Sequence, residues 1–364
     1  MRNLWFIILI LIIGCNTDRK FEKAIDAQII DETIITKKQS ETIYSESKYL
    51  PNETQFSIAL IENGKPSFYG IKREHDTIFT FDNHKSLFEI ASISKVFTAT
   101  LLADFAINNK LELNDRISDF VNTKSGNSEI TLLQLANHTS GLPVDPSNLN
   151  SVNWRNPYED YNEEKFKEYL IGDLKMIGNP GEKFEYSSLG IGLLGYILGK
   201  VDTTTYEDLL QSNIFSKYEM ISSTTNRNLI QNKLVAGLDE NGEVTNNWDA
   251  NILVAAGGIL SSVSDLSKFA QAQFDNSNEI LKLTRKSSFV IGNTSEVGLG
   301  WFINTKGVKG IQHSGGTSGY TSYMVIDTEN KNGVIVLSNI SAVNPLYINV
   351  EDLCYSLMKT LKKG

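Results

Sequence analysis

Histidine and cysteine are scarce in this chain of 364 residues: four of the first (His75, His84, His138, His313) and two of the second (Cys15, Cys354). The histidines are scattered without metal-ligand spacing, so no metal site is expected. No glycine-rich phosphate loop stands out, and nothing calls for a cofactor. Basic runs and basic–aromatic alternation are missing, and the net charge of −9 argues against nucleic acid as the main partner. No convincing Ser-His-Asp constellation is visible either. What is present is a composition of 41% hydrophobic and 21% charged residues, enough for one large domain or two lobes with a real core.

The first residues read as a targeting segment. Met1-Arg2-Asn3 carries positive charge, and residues 4–13 form an apolar run too short to span a bilayer comfortably. The run ends in Ile12-Ile13-Gly14-Cys15, which resembles a bacterial lipoprotein signal with Cys15 as the lipid acceptor. Cys354 would then have no disulfide partner. Lipid on Cys15 would anchor the protein to a membrane without spanning it, placing it in the bacterial cell envelope and facing the periplasm or exterior. Residues 16–49 are polar and read as a tether with one helix.

Three S-x-x-K matches occur, at Ser45/Lys48, Ser92/Lys95 and Ser356/Lys359. A Ser and a Lys three apart on a helix share one face, one turn apart. Only the middle pair has useful surroundings, because Leu87-Phe88-Glu89-Ile90-Ala91 leads into Ser92 and a largely apolar helix follows from Val96. An N-cap role would explain Ser92, but not an amine one turn inside an apolar helix, where a buried Lys is costly unless paired or used. Tyr186-Ser187-Ser188 and His313-Ser314-Gly315-Gly316 follow later in the chain, and together the three stretches read as a serine acyl-transfer site. A free hydroxyl is a poor nucleophile, so a base is required; Lys95 and Tyr186 are both candidates, and their order stays open. The Ser92 N–H is a candidate oxyanion donor, and the Gly315-Gly316 pair would let a strand edge lie against a substrate.

The pattern along the chain predicts an α+β fold. A hairpin over 56–71 turns at Glu62-Asn63-Gly64-Lys65, the middle is mostly helical, and strands return at 297–304, 308–313, 320–327 and 333–338 before a closing helix over 350–361. Strands at both ends imply one antiparallel sheet built from both termini, with a helical lobe inserted between. The expected division is a signal peptide over 1–15, a tether over 16–49 and a catalytic domain over 50–364. Its sheet lobe would comprise about 50–114 and 266–364, its helical lobe about 115–265, and its site the cleft between them.

From Phe56 onward the chain resembles the serine β-lactamase and penicillin-binding protein superfamily, in its class C-like branch. Beside the three motifs, Asn137-His138-Thr139-Ser140-Gly141-Leu142-Pro143, the stretch from Asn179 through Tyr186 to Gly190, Ala256-Gly257-Gly258-Ile259-Leu260-Ser261-Ser262 and Gly298-Leu299-Gly300-Trp301 carry the likeness. Asn156-Pro157-Tyr158-Glu159-Asp160-Tyr161 further resembles AmpH-type D-alanyl-D-alanine carboxypeptidases/endopeptidases. The resemblance implies a β-lactamase/transpeptidase-like fold, a Gly316 N–H as second oxyanion donor, and substrate contacts from Ser188, His313 and Ser314.

Two positions depart from that pattern. Ser188 stands where class C β-lactamases have Asn, and His313 where their strand motif begins with Lys, replacing a permanent cation by a group expected to titrate near neutrality. Both weaken the case for an efficient β-lactamase. The expectation is a serine hydrolase acting on D-alanyl peptide, including peptidoglycan peptide, or another small amide or ester. The alternatives are a class C-like β-lactamase and a penicillin-binding sensor or non-hydrolytic module. His138 is expected to knit the helical lobe; Trp301 and Tyr320 are left as core or cleft-wall aromatics.

Overall fold

The structure, a computed structural model, describes residues 21–28, 33–123, 129–230 and 233–362; the apolar run over 4–13 and Cys15 lie outside the described residues. Strand β1 (Asp26–Gln28) and helix α1 (Lys37–Ser47) come first. A capping box starts the helix: Thr36 Oγ1 accepts from the Gln39 N–H at 3.3 Å, and Gln39 Oε1 accepts from the Thr36 N–H at 2.8 Å. Where a tether was expected, the described part of 16–49 is folded against the domain. α1 packs on the closing helix, β1 pairs parallel with the strand at Thr77–Thr80, and Ile35, Ile43 and Leu50 are buried. The buried Arg73 guanidinium donates to the carbonyls of Glu22, Lys48 and Leu50, clasping this segment from the sheet. Composition hid the docking because α1 also buries Gln39, Ser40 and Ser47, with Gln39 Nε2 donating to Thr360 Oγ1 at 2.9 Å.

β2 (Gln55–Glu62) and β3 (Lys65–Glu74) form the expected hairpin, with positive φ at Asn63 (50°) and Gly64 (79°) in its two-residue turn. β4 (Thr77–Thr80) and the short β5 (Phe88–Glu89) lead to α2 (Ser94–Ile107). The helical lobe holds α3 (Leu132–Ala136), α4 (Glu163–Glu168), α5 (Ser188–Asp202), α6 (Tyr206–Leu210) and α7 (Val254–Gly257). The chain returns through β6 (Leu260–Ser261), α8 (Val263–Ala272) and α9 (Glu279–Thr284). The strands β7 (Phe289–Gly292), β8 (Ser295–Val297), β9 (Phe302–Asn304), β10 (Gly310–Gly316), β11 (Thr321–Asp327) and β12 (Asn332–Ser338) follow, then α10 (Ile348–Met358).

Ten strands make one sheet in the order β1-β4-β3-β2-β12-β11-β10-β9-β8-β7, so the two ends of the chain meet where β2 pairs antiparallel with β12. Side chains alternate across a strand, and β2 serves two cores. Phe56, Ile58 and Leu60 face the layer that contains α10, while Ala59 and Ile61 join the core around α2 and α5. The single strand expected over 297–304 is split into β8 and β9 because residues 298–301 turn in against α2. Gly300 has φ +69°, its N–H donates to Ala136 O at 2.9 Å, and a Cβ there would lie 2.8 Å from both Ala99 Cβ and Lys95 O. Trp301 and Tyr320 are both wholly buried.

Removing residues 1–50 is expected to lower stability relative to removing 1–20 by about 2 kcal/mol or more, from lost burial of Ile35, Ile43 and Leu50 and the orphaned Arg73. Urea unfolding of the two proteins measures it, and equal midpoints would show that the N-terminal segment adds nothing.

Candidate active site

Ser92 sits in a tight turn clamped from two sides. β5 pairs with β6, and the Ile90 N–H donates to Ile259 O at 3.1 Å. A single helical turn, Ala91–Ile93, then feeds α2, with Ala91 held at φ +47°, a region a non-glycine residue rarely occupies. On one side Ser94 Oγ accepts from the Ile259 N–H at 3.1 Å; on the other Ser322 Oγ donates to Ile90 O at 2.9 Å. Gly315 presses on the same turn: a Cβ there would be 2.4 Å from Ile90 O and 2.8 Å from Ser92 N. Gly316 in turn leaves room for Ala342, whose Cβ would be 2.4 Å away. The glycine pair is therefore required by protein packing, rather than only by a substrate as its sequence suggests. Ser92 itself remains partly exposed.

Lys95 lies one turn on and is 1% exposed. Its Nζ donates to Ser92 Oγ at 3.0 Å and to Ala256 O at 2.7 Å, and lies 5.0 Å from the Tyr186 ring centroid. No carboxylate forms an ion pair with it among the described residues. Burial disfavours the charged amine and lowers it to about 7, with the Asp145 carboxylate opposing more weakly. The Tyr186 hydroxyl is close enough to Ser92 to interact with it, and burial pushes the phenol upward. At neutral pH the site thus holds a lysine that readily gives up its proton and a tyrosine that keeps one.

The two histidines nearby are both neutral. His313 is buried, with Nδ1 2.7 Å from Ser314 O; a carbonyl only accepts, so Nδ1 carries the proton and Nε2 a lone pair. Burial, helped by Lys95, lowers His313 to about 3. The expectation of a group titrating near neutrality toward a substrate is corrected: its ring is packed against Phe302 (5.4 Å) instead of solvated. His138 Nδ1 accepts from the Ser187 N–H at 3.2 Å, which puts its proton on Nε2, and its ring lies 4.5 Å from Tyr186. Burial and the proximity of Lys95 lower it well below its ordinary value. His138 knits its loop as expected, since its carbonyl also accepts from the Glu185 N–H, and it braces Tyr186 as well.

Ser187 caps α5, accepting from the Gly190 N–H at 2.8 Å and donating to Pro143 O at 2.6 Å. Ser188 opens that helix nearly buried, and its hydroxyl forms no hydrogen bond to Ser92 or Lys95 among the described residues. β9 pairs with β10 only as far as Gln312, leaving the exposed Ser314 and half-exposed Gly315 and Gly316 on a strand edge beside Ser92. Among the described residues, no group of His, Cys, Asp and Glu is arranged to hold a metal ion.

Several neighbours of this centre are not assigned to it by sequence, although Asn156 and Tyr158 lie in the stretch that carries the AmpH-type likeness. Tyr158 Oη donates to Asp145 Oδ1 at 2.9 Å, and its ring meets Trp248 edge-on at 5.3 Å. Asn156 fastens the same segment to the Trp248 loop, exchanging hydrogen bonds with Asp249 at 2.7 and 3.0 Å. Glu89 is buried and accepts from the Trp248 N–H at 2.9 Å and from Arg227 at 3.3 Å; burial raises its carboxyl to about 7. A lone charge inside the apolar stretch Leu87-Phe88-Glu89-Ile90-Ala91 was the available signal for Glu89. Asp145, two residues past Pro143, carried none.

Comparison with known proteins gives a match to the family described as Beta-lactamase over residues 56–350. The chain is similar to Protein flp of Staphylococcus aureus (strain MRSA252), 27% identical over 309 residues that span 79% of this chain and 59% of that protein. It is similar to Penicillin-binding protein 4* of Bacillus subtilis (strain 168), 28% identical over 277 residues, 70% of this chain and 61% of that one. The chain therefore spans about three fifths of the length of these relatives. Among solved structures, the Beta-Lactamase/D-Alanine Carboxypeptidase from Pseudomonas syringae superposes with a TM-score of 0.74 at 20% identity, over 89% of this chain and 99% of that one.

A base is active when unprotonated, so lowering Lys95 from 10.5 to about 7 makes it available above, and not below, that value. Labelling of Ser92 by a neutral activated ester is expected to rise with pH through about 7 and to level off above it. Because Glu89 is also placed at about 7, the limb should persist in Glu89→Gln. A limb near 10 would mean that Lys95 is solvated.

Proposed function

The chain belongs to the Beta-lactamase family, and on that premise we propose that it is a serine hydrolase working through an acyl-enzyme on a D-alanyl peptide or a related small amide or ester. The observation that carries this reading is the buried Lys95 amine bonded to the partly exposed Ser92 hydroxyl, with no carboxylate in an ion pair with it among the described residues. Ser92 Oγ adds to the substrate carbonyl while its proton passes to Lys95; the carbonyl electron pair moves to oxygen, facing the N–H groups of Ser92 and Gly316. The intermediate collapses, the bond to the leaving nitrogen or oxygen breaks, and a proton returns to that atom from Lys95 or from the Tyr186 phenol. Water then repeats the sequence on the acyl-enzyme and frees Ser92. Neutral His313 supplies no strand-motif cation for a substrate carboxylate, and Ser188 offers no amide, which favours peptidase, amidase or esterase work over β-lactam turnover.

Lipid on Cys15, holding the enzyme at a membrane of the cell envelope, belongs to the same proposal. It draws on the Gly14-Cys15 junction at the end of the apolar run. Among the described residues, no helix is long and apolar enough to cross a membrane.

Intact mass after incubation with a fluorescent penicillin and with an activated ester is the direct test, on the chain from Phe21 onward. A Ser92-dependent adduct or ester turnover is expected, with Ser92→Ala abolishing both and Tyr186→Phe slowing acylation about a hundredfold or more. An adduct that never clears would indicate a penicillin-binding sensor. A folded protein giving neither adduct nor turnover would remove the catalytic reading.

A further inference from the structure

Asp145 is fixed at the site by contacts from the residues that follow Tyr186. The Ser187 hydroxyl donates to Pro143 O at 2.6 Å and the Leu189 N–H donates to Val144 O at 2.9 Å, so the next residue, Asp145, lies alongside the loop that presents Tyr186. Its carboxylate accepts from the Tyr158 hydroxyl at 2.9 Å, a neutral donor. Among the described residues no Lys or Arg forms an ion pair with it, unlike Glu89, Asp239 and Asp249, which each have an arginine. The residue is only partly buried, although burial is enough to raise its carboxyl above the ordinary aspartate value. Its position is also a liability for the chemistry, because a negative charge there favours the protonated form of Lys95. A carboxylate that merely braced Tyr158 could be exchanged for a neutral acceptor without that drawback.

Beside it stands an aromatic pair, Tyr158 edge-on to Trp248 at 5.3 Å. An anion next to aromatic rings, lacking a cation of its own, is a receptor for an ammonium group. Resting on the serine-hydrolase reading above, we propose that Asp145 binds a primary ammonium group of the substrate, so that the enzyme selects acyl donors with an unblocked amine near the scissile carbonyl. A bound ammonium would also offset the charge of Asp145 toward Lys95, so the matching substrate restores the condition its base needs.

The test is competition against Ser92 labelling by a neutral fluorophosphonate, with D-alaninamide and N-acetyl-D-alaninamide as the competing pair. In the unaltered protein the free amine is expected to protect Ser92 at a concentration about tenfold or more lower than the acetylated form. Asp145→Asn should bring the ratio of the two close to one. Tyr158→Phe, which keeps the carboxylate, should retain a preference. Equal protection by both compounds in the unaltered protein, or an unchanged ratio in Asp145→Asn, overturns the inference while Ser92-dependent labelling leaves the hydrolase reading standing. Absence of labelling that Ser92→Ala abolishes would overturn that reading, and this inference with it. Should Asp145→Asn fail to fold, Asp145→Glu supplies the comparison: it must keep the preference for the amine, and its loss counts against an ion pair.

Discussion

A lysine amine taken out of water, with no carboxylate in an ion pair with it among the described residues, is the constraint around which this molecule is arranged. An ionised ammonium in such a place is strongly disfavoured, so the surroundings must either neutralise it or be organised to hold it. Here one carbonyl, that of Ala256, and one hydroxyl, that of Ser92, take its hydrogen bonds. Two ring neighbours add no charge, since His138 and His313 are both kept neutral by burial and by the lysine itself, and the Asp145 carboxylate opposes the effect of burial only weakly. The backbone closes in behind, where Gly300 approaches α2 so tightly that a methyl group would strike Lys95 O. The packing of the helix that carries Lys95 thus depends on a glycine in the turn between β8 and β9.

A second layer keeps the cleft's walls in register. Glu89, three residues before Ser92, ties the turn to Trp248 and Arg227, and Asp249 continues the link to Arg227 and Asn156. Through Tyr158 the same segment reaches Asp145. Each hydrogen bond of this kind contributes about 1 kcal/mol, but breaking one inside the network leaves a buried charge uncompensated and costs more. The neighbours of the reacting groups are thereby set by one connected set of contacts between four segments distant in sequence.

What could be read from the sequence is whatever local spacing encodes. Ser92 and Lys95 are one helical turn apart, Tyr186 stands just before a capped helix, and the paired glycines mark a close approach, so each left a short signature. The alternating pattern of β2 and the Asn63-Gly64 turn likewise gave the hairpin. Asp145, Tyr158 and Ala256 meet only through the fold, and no spacing betrays that. The protonation of His313 depends on burial, which its neighbours in sequence do not determine. α1 looked like a solvated tether because the polar residues it buries are hydrogen-bonded in place, and hydropathy cannot distinguish a satisfied buried Gln39 from an exposed one.

The docking of the N-terminal segment also bears on how the proposed lipid anchor would hold the protein. Arg73 holds Glu22 O, and Phe21 lies within van der Waals reach of the turn at Gly242, whose neighbours Asp239 and Glu240 bind Arg155. Only six residue steps separate Phe21 from Cys15, a leash of about 20 Å at full stretch. A lipid on that cysteine would tie the molecule close to the docked segment at Glu22 and Arg73 rather than by a long stalk. Its working radius would be a thin shell above the bilayer, and substrates attached to a polymer would have to come down to it.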